Sequence, residues 1–299
     1  MKSKTPKVLV AGATGYLGRH IVRELINSGE EFFALARNAE KLRESGLGDA
    51  QIRIAEVTSP ESLQGCCEEV DVVISCVGIT RQKDGLKYMD VDYQGNCNLL
   101  EEAIRAGVKK FIYISAFKAP EYRHVRLLNA KEKFVDKLLS TDQLIPCVIR
   151  PNGFFSDLEE YYKMAQSGRA YVFGSGNTQL NPIHGEDLAD FCIKAIKRSD
   201  RELSVGGPET LSVGKIAELA FESQNRIVKV THFPDWIRKA ALFVAASLPE
   251  RIGGPTEFFL TVSAGNMIAP AYGNKKLAEH FRKLHLKTSD INKNTRQLW

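Results

Sequence analysis

Apolar residues recur along the first half of the chain in two rhythms. Short unbroken runs, such as Val8-Leu9-Val10-Ala11 and Phe32-Phe33-Ala34-Leu35-Ala36, alternate with stretches whose apolar residues fall every three or four positions, such as Ile21, Val22, Leu25 and Ile26. The runs predict strands buried on both faces, and the spaced pattern predicts amphipathic helices. Strands are expected at 8–11, 32–36, 52–57, 70–76, 110–115 and 146–150, and helices at 17–28, 39–45, 61–67, 93–106 and 125–140. Ser59-Pro60-Glu61 opens the third helix with a cap-like residue and a proline at its first position. Such alternation implies right-handed βαβ units. The expected fold class is α/β, a doubly wound parallel sheet of the Rossmann type.

Chemistry enters at one turn. Gly12-Ala13-Thr14-Gly15-Tyr16-Leu17-Gly18 stands between the first strand and the first helix. Gly12 permits a tight exit from the strand, Gly15 lets backbone approach a pyrophosphate, and Gly18 lets the helix lie close on the strand. The helix N-terminus adds N–H groups and the positive end of its dipole. The alternative is a glycine-rich turn without a ligand. The second strand ends at Arg37, about 20 residues past the last glycine, where Asp or Glu would accept from a ribose 2′-OH. Arginine suits a 2′-phosphate, so NADP(H) is expected over NAD(H), against the alternative of a solvated arginine at a strand end.

Past Arg150 the alternation weakens. Residues 151–176 are rich in aromatics, and helices are expected near 185–197, 213–222, 235–247 and 255–264. We expect a dinucleotide-binding core at 1–150 and a smaller C-terminal substrate lobe at 151–299, interleaved with the core in one compact unit. The apolar stretch 240–248 is too short to span a bilayer and reads as a core helix, so no stable membrane insertion is expected. Arg238, Lys239 and Arg251 beside it leave an interfacial contact as the alternative.

Ligands of such sheets bind beyond the carboxyl ends of the strands. That rule gathers the glycine turn, Arg37, Glu56, Val57, Cys76, Val77, Gly78, Ser115 and the run Arg150-Pro151-Asn152-Gly153-Phe154-Phe155 around one crevice. Lys131 shares a helix face with Leu127, Leu128 and Val135, whereas Lys133 and Lys137 point elsewhere. An inward lysine must find a partner or lose its charge, which suggests a contact to the cofactor ribose. A lysine snorkelling at the helix edge is the alternative.

Composition narrows the classes little further. The 299 residues carry 41 Lys and Arg against 36 Asp and Glu, for a net charge of +5. The small N-terminal cluster of Lys2, Lys4 and Lys7 makes no basic stripe with interleaved aromatics, so nucleic acid is not an expected partner. The six cysteines lack metal spacing and read as buried thiols of a reducing compartment, and no signal peptide fits the start; the expectation is cytoplasmic.

The chain resembles the atypical short-chain dehydrogenase/reductase superfamily over nearly its whole length. The resemblance rests on the glycine turn, Asp71-Val72-Val73-Ile74-Ser75-Cys76-Val77-Gly78, Phe111-Ile112-Tyr113-Ile114-Ser115, and 149–155. It extends to Pro182-Ile183-His184-Gly185-Glu186-Asp187-Leu188-Ala189 and Gly206-Gly207-Pro208-Glu209. Within the superfamily it is similar to the NmrA-like branch, to divinyl (proto)chlorophyllide 8-vinyl reductases and to chloroplast-type photosystem assembly factors. The resemblance implies Ser115 and Lys131 beside the nicotinamide and Asn98 holding a water. It also implies a tyrosine four residues before the lysine as proton donor, and here that position is Leu127. Tyr88, Tyr93 or Tyr122 could replace it. Tyr272 and Lys276 have the spacing but fall outside the crevice. His184 reads as structural and His124 as exposed.

The expected activity is NADP(H)-dependent reduction of a C=C or C=O in a hydrophobic or aromatic small molecule, with 154–162 lining the pocket. The alternative is a non-catalytic NADP(H)-binding redox sensor or assembly factor, which the missing tyrosine favours. A sugar-nucleotide epimerase is a third reading and suffers from the same absence.

Overall fold

The computed structural model describes residues 5–79 and 85–296. Of the N-terminal lysines, only Lys7 lies within them.

The strands are β1 (Val8–Ala11), β2 (Phe32–Ala36), β3 (Ile52–Ile54), β4 (Val72–Ser75), β5 (Lys110–Ile114), β6 (Ile145–Pro151), β7 (Ala170–Phe173), β8 (Gln179–Leu180), β9 (Glu202–Val205), β10 (Leu211–Ser212) and β11 (Val230–Phe233). The α-helices are α1 (Tyr16–Ser28), α2 (Glu40–Arg43), α3 (Pro60–Leu63), α4 (Asn96–Arg105), α5 (Arg126–Ser140), α6 (Glu159–Gln166), α7 (Gly185–Ala195), α8 (Val213–Glu222), α9 (Asp235–Ser247), α10 (Glu250–Val262) and α11 (Leu277–Arg296). A π-helical segment, Met89–Gly95, runs directly into α4.

Seven strands form one parallel sheet in the order β3-β2-β1-β4-β5-β6-β9. Alternate residues of each strand go to opposite faces. Val8, Val10, Ile74, Ile112 and Ile149 pack against Leu17, Ile21 and Leu25 of α1 and Leu188 of α7. Leu9, Ala11, Val73, Phe111 and Val148 pack on the other face against Leu99, Leu100, Phe134 and Val135 of α4 and α5. Each fully buried aliphatic or aromatic side chain contributes about 1.5–3 kcal/mol, so these two layers hold the sheet. The strand order reverses direction between β1 and β4. Chain leaving their carboxyl ends diverges there and opens a crevice.

The C-terminal elements bury a core of their own, with Phe155, Tyr161, Tyr162, Ile216, Phe221, Leu277 and Phe281 at its centre. Not all of the chain past Pro151 stands apart. The seventh strand, β9, and the helix α7 belong to the main sheet layer.

One expected burial is corrected. The stretch 240–248 falls in α9 and its C-cap Leu248; within α9 only Arg238 and Ala245 are buried, while Phe243 is 76% exposed. The helix leans on the molecule by one edge and leaves its apolar face outside.

Candidate functional site

Two adjoining cavities lie beyond the carboxyl ends of the sheet. The first, about 280 Å³, is lined by Gly12, Thr14, Gly15, Arg37, Glu56, Val57 and Val77, among others. The second, about 360 Å³, is lined by Tyr16, Leu17, Gly18, Ser115, Lys131 and the run Pro151-Asn152-Gly153-Phe154. Gly15, Cys76, Gly78 and Ile79 line both. One trough therefore runs from Arg37, past the glycine turn, to Lys131. Ala13 lies beneath it, fully buried, with its N–H donating to the Leu35 carbonyl at 3.3 Å.

The turn fits a pyrophosphate. Gly12 has φ +76°, the left-handed region, and a Cβ there would stand 3.0 Å from the Cys76 carbonyl carbon. At Gly18 a Cβ would meet the Gly12 carbonyl oxygen at 2.2 Å, because the first turn of α1 rests directly on the strand exit. A Cβ on Gly15 would meet only that same oxygen, at 3.2 Å; its other side is open. No side chain caps the N-terminus of α1, so its first N–H groups and the positive dipole end remain for an anion. Tyr16 ties this turn to α7, its hydroxyl accepting from the Gly185 N–H at 3.1 Å, and burial pushes its phenol up to about 12.

Arg37 and Glu56 line the first cavity together, with Arg37 Nη1 3.8 Å from Glu56 Oε2 and the arginine side chain 61% exposed. The guanidinium is thus at the mouth, where a further anion can reach it. Asn98 does not line either cavity. Its amide donates to the Val57 carbonyl at 2.9 Å and its oxygen accepts from Gln94. Asn96, two residues earlier, is fully buried behind the end of β4 and lines neither cavity. It accepts from Ser75 Oγ at 2.6 Å and donates to the carbonyls of Val77, Val91 and Asp92. The π-helical turn shifts the register, so the water-holding role expected of Asn98 has no support in its position.

Lys131 is the central group of the second cavity. It comes off the inward face of α5, as its neighbours Leu127, Leu128 and Val135 required. Its Nζ lies 3.1 Å from Asp92 Oδ1, 3.5 Å from the Tyr113 hydroxyl and 3.5 Å from the Ile114 carbonyl. Asp92 is fully buried, projects from the π-helical segment, and accepts from the Ile79 N–H through Oδ2 at 3.1 Å. Burial opposes the ammonium, but the Tyr113 hydroxyl and the Asp92 carboxylate outweigh it and hold Lys131 above the ordinary lysine value. Burial raises Asp92 above the usual carboxylate value, and Lys131 opposes that rise. The pair needs Gly78, since a Cβ there would stand 2.6 Å from Asp92 Oδ1 and 3.0 Å from Lys131 Nζ. Sequence reasoning missed Asp92. Nothing local marked it out, since the segment Met89–Gly95 also carries Asp90 and Gln94.

Ser115 lines the second cavity, but its hydroxyl is engaged elsewhere. It donates to Glu132 Oε1 at 2.7 Å, and Arg150 grips Glu132 from both guanidinium nitrogens at 2.6 and 3.0 Å. Asn152 is similarly committed, donating to Asn181 and to the Met267 carbonyl. These networks fix the cavity wall, because a buried polar group without a partner costs about 1–3 kcal/mol.

Much of the remaining wall is apolar, with Asp157, Thr178, Gln179 and Ser263 as polar exceptions. Leu127, in the position four before the lysine, lines it with Phe117, Leu158, Tyr161, Ile216, Phe258 and Met267. Of the segment 154–162, Phe154, Asp157, Leu158 and Tyr161 face the cavity, whereas Tyr162 packs toward Phe281. Tyr88, Tyr93 and Tyr122 do not line it. Tyr161 does, and burial pushes its phenol up to about 12. Asp157 accepts from the Phe154 N–H at 3.0 Å, and burial raises its carboxyl above the usual range. Tyr272 bonds to Asp190 and Lys194 on the outer side of α7, away from the trough. His184 caps α7 by accepting from the Glu186 N–H, and His124 is exposed.

Residues 12–199 match the family described as NAD(P)H-binding. Among curated relatives, the photosystem II assembly factor Ycf39 of a Synechocystis strain is 33% identical over 195 residues, which is 64% of this chain and 58% of that protein. The chain thus spans little more than half of that relative. The chloroplastic divinyl chlorophyllide a 8-vinyl-reductase of Arabidopsis thaliana is 29% identical over 287 residues, covering 86% of this chain and 68% of the reductase. Among solved structures, an NADPH-dependent quinone oxidoreductase of Escherichia coli, complexed with NADPH, superposes with a TM-score of 0.71 at 17% identity, covering 93% of this chain and 99% of that one. That likeness is one of fold.

Proposed function

We propose that this chain, which belongs to the NAD(P)H-binding family, is an NADP(H)-dependent reductase of a C=C or C=O in a hydrophobic or aromatic small molecule. The observation that carries the reading is the continuity of the trough. A glycine turn suited to a pyrophosphate opens directly into a largely apolar cavity that holds a buried cation, Lys131.

In this reading Gly12, Gly15, Gly18 and the N-terminus of α1 hold the pyrophosphate, and Arg37 holds a 2′-phosphate with a charge-assisted contact. A bound nicotinamide cofactor supplies the hydride. Lys131 stays protonated at neutral pH, so Nζ donates a hydrogen bond to negative charge that develops on the substrate in the second cavity. Asp92 and Tyr113 fix where that charge can be met. The apolar wall at Leu127, Phe117 and Ile216 excludes water and selects a flat, hydrophobic substrate. The proton that completes reduction comes from Lys131 Nζ or from water at the cavity mouth. The vinyl-reductase relative supports a C=C as the reduced bond.

Two observations favour a second reading. Leu127 stands where the superfamily's tyrosine would deliver a proton, and a relative is named as an assembly factor. On that reading the chain binds NADP(H) without turnover, as a redox sensor or assembly factor. NADPH consumption measured across enones, quinones and vinyl tetrapyrroles separates the two. Substrate-dependent oxidation supports the reductase; tight NADPH binding with no oxidation by any member assigns the second reading.

A further inference from the structure

The α9–α10 hairpin carries an apolar face that the fold leaves uncovered. On α9, Trp236, Ala240, Phe243 and Val244 fall at helical spacing on one side, and all four are exposed, Trp236 by 67% and Val244 by 56%. The face continues over Leu248 to Ile252, which is 63% exposed, and Phe259 on α10. Isolated exposed apolar residues are ordinary, but a contiguous row on two paired helices marks a surface that meets something. Phe259 also lines the second cavity, so the row runs up to its wall.

Cations fringe the row. Lys239, 72% exposed, lies three residues after Trp236 and four before Phe243, with Asp235 3.5 Å from its ammonium. Arg251 is exposed beside Ile252. Buried Arg238 is held by Asp235 at 2.6 Å and by the Leu260 carbonyl, so it braces the hairpin rather than serving the surface. A two-fold pairing of this chain would set the patch against itself and gather two copies each of Lys239 and Arg251 at one interface, with no added acidic partner for them. Anionic headgroups would meet both cations while the acyl boundary takes the aromatic row. Among the described residues no helix is long and apolar enough to cross a membrane, so the contact is interfacial.

We infer that the α9–α10 hairpin docks this protein on an anionic lipid surface and sets the wall of the apolar cavity against the acyl region. The test uses the full chain with Trp299 replaced by Phe, so that Trp236 is the fluorophore, and vesicles of phosphatidylcholine alone or mixed with phosphatidylglycerol. The expected result is co-sedimentation with the anionic vesicles, weakened by salt, with a blue shift of Trp236 emission. Phe243→Ser with Val244→Ser should lower vesicle affinity roughly tenfold or more, with NADPH affinity and circular dichroism unchanged. No binding to anionic vesicles overturns the inference. So does binding that the double substitution leaves intact. A dimer of the starting protein that the double substitution splits, seen by light scattering, assigns the face to a second copy instead. None of these outcomes depends on turnover, so they are distinguishable from failure of the reductase reading.

Discussion

Substituting Lys131 by methionine keeps the length and apolar stem of the side chain and removes its charge. Asp92 then remains fully buried, with the Ile79 N–H as its hydrogen-bond donor. At the observed separation of 3.1 Å, and with an effective dielectric near 20, the lost attraction is about 5 kcal/mol. Measured losses from breaking buried pairs run about 3–5 kcal/mol. Protonation of Asp92, whose carboxyl burial already raises, recovers part of that, so Lys131→Met should cost about 2–4 kcal/mol. Adding Asp92→Asn removes the orphaned charge while retaining an acceptor for Ile79, and should return stability to within about 1 kcal/mol of the starting protein. The assay is urea unfolding of the four proteins, read as midpoint shifts at constant slope. NADPH titration in parallel separates stability from function. If Lys131 also meets the cofactor ribose, as its inward position suggested, the double variant should be stable yet bind NADPH as weakly as Lys131→Met. Additive effects, with a coupling below about 0.5 kcal/mol, would refute the ion pair as the element that sets Lys131.

Gly15→Val should abolish dinucleotide binding with less than about 1 kcal/mol lost from unfolding stability. Gly15 has φ −71°, which valine adopts, and the added atoms extend into the open side of the turn; normal NADPH affinity in this variant would place the cofactor elsewhere. Arg37→Ala should weaken NADPH by about 10- to 100-fold and NADH by much less, and equal losses in paired titrations would remove the 2′-phosphate role. Acid should destabilise the fold through the neighbouring histidines of α1, the α7 cap and α11. Burial lowers His20, His280 and His184, the last from 6.5 to about 4. The unfolded chain therefore binds more protons over that interval, and stability falls as pH drops through it. With these rings only half buried, the loss should be about 1–3 kcal/mol, and a flat thermal midpoint between those pH values would contradict it.

The strands of the first half and the glycine turn were legible because buried parallel strands and amphipathic helices have distinct periods. What failed did so for physical reasons. The π-helical segment Met89–Gly95 breaks the 3.6-residue period just before α4, and Asn98, which the resemblance set to hold a water, is turned to the Val57 carbonyl and Gln94. Asp92 meets Lys131 across distant sequence, a contact no local pattern reports. The hydroxyl of Ser115 matched its motif, yet the structure commits it to Glu132, a partner one helix away. The strand β9 is only four residues and begins with a glutamate, too little pattern to distinguish it from a loop. The mostly polar sequence of α11 carries too weak an apolar period to predict a helix. The apolar content of α9 predicts a helix, which forms, and a core position, which it does not take. Composition reports how apolar a helix is, and packing alone decides whether that face is covered.

The central claim is that Lys131, held by Asp92 where the glycine-turn trough meets the apolar cavity, meets charge that develops during reduction. The most direct measurement is single-turnover oxidation of NADPH, at saturating cofactor and with the best substrate of the panel, by the starting protein and by the stable double variant Lys131→Met with Asp92→Asn. The account predicts oxidation by the former and a rate constant lower by about 10²- to 10⁴-fold in the latter. Equal rate constants, or no oxidation by the starting protein despite tight NADPH binding, would contradict it.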